Sequence, residues 1–72
     1  MKKMWPVRSL SELLGKDVRL ELKDGRVIEG QATSFDDFTV DENAREMIGI
    51  QASGYIDCAY DEEILVAYDL TA

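Results

Sequence analysis

The side chains that could do chemistry in this 72-residue chain are carboxylates and one thiol, for there is no histidine. Without an imidazole the Ser-His and Cys-His pairs of nucleophilic catalysis cannot be built. Cys58 lies in phase with Ile56 in an alternating segment, and that spacing predicts a buried, inert thiol. The acids gather as Asp36-Asp37, Asp41-Glu42 and Asp61-Glu62-Glu63. Such groups can bind Mg²⁺ or Ca²⁺ or serve as an acid and a base, but none has the Asp-x-Asp-x-Asp-Gly spacing of a calcium loop. Turn chemistry and solvated loops account for them. A hydrolase built on Asp36 and Asp37 is the weakest of three functional readings. No enzyme activity, catalytic residue, metal or cofactor is expected.

The elements that must position any site are small. Seventy-two residues predict one domain over residues 1–72. Single cores below about 70–80 residues seldom supply more than about 3–5 kcal/mol, so natural mini-domains often add disulfides, metals or oligomer contacts. One cysteine excludes an internal disulfide, and a lone thiol without histidine makes a zinc site untenable. Oligomerisation is the support left. Met1-Lys2-Lys3-Met4-Trp5-Pro6 has a positive start but no apolar core, and no apolar run nears 18 residues. A cytoplasmic protein with no membrane partner is expected.

The net charge of −7 is unevenly spread. Residues 1–26 hold seven of the eight bases against four acids, a balance of +3; residues 27–72 hold Arg45 against eleven acids, a balance of −10. Phosphate neutralisation supplies most non-specific affinity for nucleic acid, so only the N-terminal third could offer it. Net negative charge also keeps a small protein soluble.

Ser9 and Glu12 form a Ser-x-x-Glu capping box, and Gly15 offers a left-handed stop. This predicts a short helix over about 9–14 with Leu10, Leu13 and Leu14 as its apolar face, and Trp5 as a lid on it or on a neighbouring subunit. Val18, Leu20 and Leu22 alternate with Arg19, Glu21 and Lys23, as in a strand with one wet face. Asp24-Gly25 predicts a type I′ hairpin with two positive φ values. In the next strand Ile28, Gly30 and Ala32 share a face while Val27 and Phe35 fall on the other. That phase change needs a bend or bulge, assigned to Gly30. Phe38–Asp41 reads as strand, 42–45 as a turn, Met47–Ala52 as strand, and Ser53-Gly54 as a break. Tyr55–Tyr60 alternates again, with Ile56, Cys58 and Tyr60 on one side. Ile64–Leu70 closes the domain with apolar residues on both faces, the mark of an edge strand that invites a partner.

Over residues 9–36 the chain resembles the first motif of the Sm and Sm-like proteins. The resemblance rests on Leu14-Gly15-Lys16, Val18-x-Leu20-x-Leu22, Lys23-Asp24-Gly25-Arg26, Gly30 and Phe35-Asp36. Other small SH3-like barrels share the hairpin and the glycine. The resemblance implies a mainly β fold: a short N-terminal α-helix, then a strongly bent five-stranded antiparallel barrel over about 16–70. It also implies assembly into rings and RNA binding. Family members place a base-stacking aromatic after Phe-Asp, here Phe38, then an asparagine, here Val40. The Arg-Gly that completes their base pocket occurs nowhere after Arg45. One stacked aromatic contributes about 1–3 kcal/mol, so RNA binding is expected to be weak and to use Phe38 with Arg19 and Arg26. Phe38 packing at the barrel end is an equally good reading. The family pairs the fourth strand of one subunit with the fifth of the next, which implies an interface at Tyr55, Leu65 and Ala67.

Two readings lead. In the first, the chain is a non-enzymatic Sm-like interaction module that self-assembles through its terminal strands and presents an acidic surface to a protein partner, as some acidic Sm-like proteins do. In the second it is an RNA-binding homo-oligomeric ring with a degenerate base pocket.

Overall fold

A computed structural model of the chain describes residues 1–38 and 45–71, with Phe38 described by its backbone alone. Six antiparallel strands form one open sheet: β1 (Lys2–Lys3), β2 (Asp17–Leu22), β3 (Val27–Phe38), β4 (Arg45–Ala52), β5 (Tyr55–Tyr60) and β6 (Ile64–Asp69). Their order across the sheet is β1-β6-β2-β3-β4-β5. In place of the expected bent five-stranded barrel, the described strands form an open sheet of six, the sixth being the short strand that residues 2–3 add outside β6.

The expected N-terminal α-helix is instead a 3₁₀ turn, Leu10–Leu13. Its capping box is present: Ser9 Oγ accepts from Ser11 N–H at 3.2 Å, and Glu12 Oε2 accepts from Ser9 N–H at 3.2 Å. Four residues are too few to propagate an α-helix. Leu10 and Leu13 are buried, but Leu14 turns outward as the chain leaves the turn. Gly15 follows with φ +82°, and its N–H donates to Ala32 O at 2.8 Å, tying the turn's exit to β3.

Val18, Leu20 and Leu22 are all buried, as their alternation requires. The hairpin after them differs from the type I′ form. Gly25 alone is left-handed, Gly25 N–H donates to Leu22 O at 3.0 Å, and Leu22 N–H donates to Arg26 O at 2.9 Å. This three-residue loop, with glycine in the left-handed position, needs only one positive φ.

β3 is the bent strand. Its first half pairs with β2 as far as Gln31↔Asp17, and its second half pairs with β4 from Gln31↔Gln51 onward. The register slips between Ala32 and Ser34, so the bulge falls at Thr33 rather than at Gly30. That extra residue reverses the phase: Ile28 and Ala32 are buried before it, and Phe35 packs on the core after it. Gly30 has a different duty. A Cβ there would stand 2.2 Å from Gln51 O, so glycine is what lets β4 cross the bend.

The core lies between the sheet and the 3₁₀ turn, with Leu13, Val18, Leu20, Ile48 and Ile50 at zero exposure. Met4, Trp5 and Val7 pack against its rim, which gives Trp5 the lid position. Three expectations for the second half are corrected. In β5 the buried residue is Ala59, while Ile56 and Cys58 are exposed, because β5 is an outer strand that turns only its Ala59 face inward. In β6 Ala67 is fully buried. And β6 is not a free edge, since β1 covers part of it.

Candidate functional site

The register of β3, β4 and β5 gathers the acids at one end of the sheet. Met47 pairs with Asp36 on one side and Tyr60 on the other, and Glu46 pairs with Asp37. The 3₁₀ turn Asp61–Glu63 directly follows Tyr60. Asp36, Asp37, Glu46, Asp61, Glu62 and Glu63 therefore share this end, and Arg45 is the base among them. Arg45 is held there. Its guanidinium lies 4.0 Å from the centroid of the Tyr60 ring and forms an ion pair with Glu62. In register it stands opposite Phe38.

Glu46 has a structural duty at the same end. Its carboxylate accepts from Ser9 Oγ at 2.9 Å and from Leu10 N–H at 2.8 Å, so β4 caps the 3₁₀ turn from outside. Its own N–H donates to Asp61 Oδ2 at 3.3 Å. Glu46 thus joins the N-terminal turn through its carboxylate and the turn before β6 through its backbone N–H. No group of three or more His, Cys, Asp or Glu side chains among the described residues is placed to hold a metal ion.

The two arginines expected to meet phosphate lie elsewhere. Arg19, in mid-β2, pairs with Glu21 at 3.3 Å and with Glu29 at 3.4 Å. Arg26 pairs with Asp24, two residues before it in the hairpin turn, at 3.1 Å. Arg26 adjoins the start of β3 and Phe38 is its last residue, so the strand separates them. The Asp24 carboxyl is held below the usual carboxylate range by the Arg26 N–H and guanidinium. Asp69 is held low by the Thr71 hydroxyl and N–H, with Lys16 adding to the effect. Val40, at the family's asparagine position, lies outside the described residues, as do Asp41 and Glu42.

Of the three residues expected at a subunit interface, Tyr55 and Leu65 are exposed, at 59% and 57%. Ala67 is enclosed in the single chain, with its carbonyl accepting from Met4 N–H, so its side chain offers no exposed surface there. Exposed Ile56 stands beside Tyr55 on the outer strand. The Arg45–Tyr60 stack and the Glu46 cap were not singled out from sequence. The available signal was that Arg45 is the one base in the acidic part of the chain.

The fold is a small, open, bent antiparallel sheet whose outer strands are the lysine-bearing β1 and β5 with its exposed Tyr55 and Ile56. Within it, the family model of the LSM domain matches residues 8–39, the 3₁₀ turn, β2, the hairpin and β3. The match bears out the Sm-like resemblance of that segment and points to an Sm-like interaction or RNA-binding module. Comparison with curated proteins and with solved structures finds no match.

Proposed function

We propose that the chain is a single-domain, non-enzymatic Sm-like module that self-assembles head to tail through its terminal strands, β5 and β6, and offers its acidic end to a protein partner. The observation that carries this reading is the pair of unequal open ends of the sheet, one of them the six-residue β5 with exposed Tyr55 and Ile56. Long edge strands with apolar side chains invite pairing with another chain, and a domain this small gains from the added burial. The acidic end favours a basic protein surface and disfavours phosphate. Light scattering is the test. Leu65→Lys and Tyr55→Lys should shift the assembled species toward monomer, whereas Val66→Ala, in the core, should lower stability with little effect on mass. A monomer at high micromolar concentration refutes the reading.

The second reading, an RNA-binding ring with a degenerate pocket, draws support from Arg45. It stacks on Tyr60, a cation over an aromatic ring at the end of the sheet, and its backbone position pairs with Phe38 in register. Its partnership with Glu62 and the five other acids at that end argue for weak affinity.

A further inference from the structure

The two ends of the sheet differ in how they are closed. At one end the outer side of β5 meets no strand among the described residues. At the other, the outer edge of β6 is covered over its last part only. Lys2 pairs with Asp69, Lys3 pairs with Tyr68, and Met4 N–H donates to Ala67 O at 2.9 Å. From Ile64 to Val66 that edge faces no described strand, and exposed Leu65 lies within this stretch.

The cover is thin. Lys2 and Lys3 are both exposed, so β1 buries no apolar side chain of its own. The anchor of the N-terminal segment begins further on, at Met4, Trp5 and Val7, which pack on the core. A two-residue strand gains few hydrogen bonds, and water replaces these on opening while the residues recover their conformational freedom. A very short edge strand carrying lysines is also a known way to blunt an edge against pairing.

We infer that β1 is an exchangeable cover: it occupies the outer edge of β6 in the free chain and yields that edge to β5 of a second copy. The inference rests on the self-assembly proposed above and adds how assembly is held back. A second copy is the occupant because a head-to-tail contact between identical sheets must join their two different ends, and β5 is what the other end offers. The lengths agree. β5 and β6 have six residues each, so full pairing needs the length of β6 that β1 now interrupts. Such pairing brings Leu65 of one copy beside the strand that carries Tyr55 and Ile56 of the next.

Two variants test this by analytical ultracentrifugation. A chain that starts at Met4 keeps the core contacts of Met4, Trp5 and Val7 and lacks β1. If β1 covers the edge about nine-tenths of the time, the apparent Kd for assembly should fall about tenfold. In the full chain with Cys58→Ser, Lys3→Cys with Tyr68→Cys ties β1 to β6 at a registered pair. This variant should stay monomeric when oxidised and assemble when reduced. An oxidised form that assembles as well as the reduced form, or a chain from Met4 that assembles no more tightly than the full chain, overturns the inference and leaves self-assembly standing. If neither the full chain nor the chain from Met4 assembles at high micromolar concentration, the self-assembly reading falls, and the inference with it.

Discussion

Replacing Gly30 by alanine should cost this domain most of its stability, and the structure says why. The added Cβ would stand 2.2 Å from Gln51 O, 2.9 Å from Gln51 C and 3.0 Å from Ile50 Cγ2. Ordinary contacts between carbon atoms lie at about 3.5–4.0 Å, so β4 must retreat by about 1 Å. The first neighbours are backbone atoms, which cannot swing aside as a side chain would. Retreat strains the Gln31↔Gln51 and Ala32↔Ile50 pairs, the first two of the β3–β4 ladder. Overpacking costs about 1–3 kcal/mol, and each lost ladder hydrogen bond about 0.5–1.5 kcal/mol. The combined loss of about 2–6 kcal/mol rivals the about 3–5 kcal/mol that a core of this size supplies. Urea denaturation followed by Trp5 fluorescence reads it directly, since Trp5 packs on the core. Gly54→Ala is the control: φ is +82° there but the space is open, so only the left-handed backbone is penalised, at about 1–2 kcal/mol. If Gly30→Ala loses no more than Gly54→Ala, the crossing of β4 over the bend is not what requires glycine.

Three further outcomes are expected. Glu46→Ala leaves the N–H of buried Leu10 without its acceptor and should lower stability by about 1–3 kcal/mol in denaturant titration; Glu46→Gln, which keeps an acceptor oxygen, should lose clearly less, and equal losses would discount the cap. Asp69 is held below its ordinary value in the folded chain, so its stabilising effect is present above the unfolded carboxyl pKa of about 3.9 and fades as pH falls through the folded one; urea midpoints of the natural chain and Asp69→Asn should converge on acidification, and a constant gap would show that the charge of Asp69 is not involved. Oligouridine binding followed by anisotropy at physiological salt should be weak, removed by Phe38→Ala and strengthened severalfold by Glu62→Gln, which frees Arg45; submicromolar binding indifferent to both changes would move any RNA site to another surface.

Local signals were legible wherever one residue dictates its own conformation or face. The Ser9–Glu12 capping box, left-handed Gly15 and the Val18-Leu20-Leu22 stripe are all present, because each depends on neighbours a few positions away. The need for a bend in β3 was also visible, since Ile28 and Phe35 cannot share a face without an extra residue. Its place at Thr33 was not, because the slip is decided by the partner strand β4. For the same reason Cys58 and Ile56 read as inward when they are outward: alternation gives the two faces of β5, while the sheet order decides which one meets the core. The candidate site fared likewise. Phe38 could be named through the family resemblance, with Arg19 and Arg26 as the bases to accompany it; Glu21 and Asp24, two positions from these arginines, were within view, but the cross-strand Arg19–Glu29 pair is a product of register.

The position of β2 has a consequence for how the chain is made. β2 lies between β3, its hairpin partner, and β6, which joins it through pairs as distant in sequence as Val18 and Asp69. As the chain leaves the ribosome the hairpin can close early, but β2 keeps one side unpaired until the last strand emerges. For that interval Leu20 lacks the Ala67 that will stand opposite it in the ladder. Pairing across some fifty residues is slow compared with hairpin closure, so the nascent domain passes through a stage with an unsatisfied inner strand, which is when it is most exposed to aggregation or to capture by a chaperone.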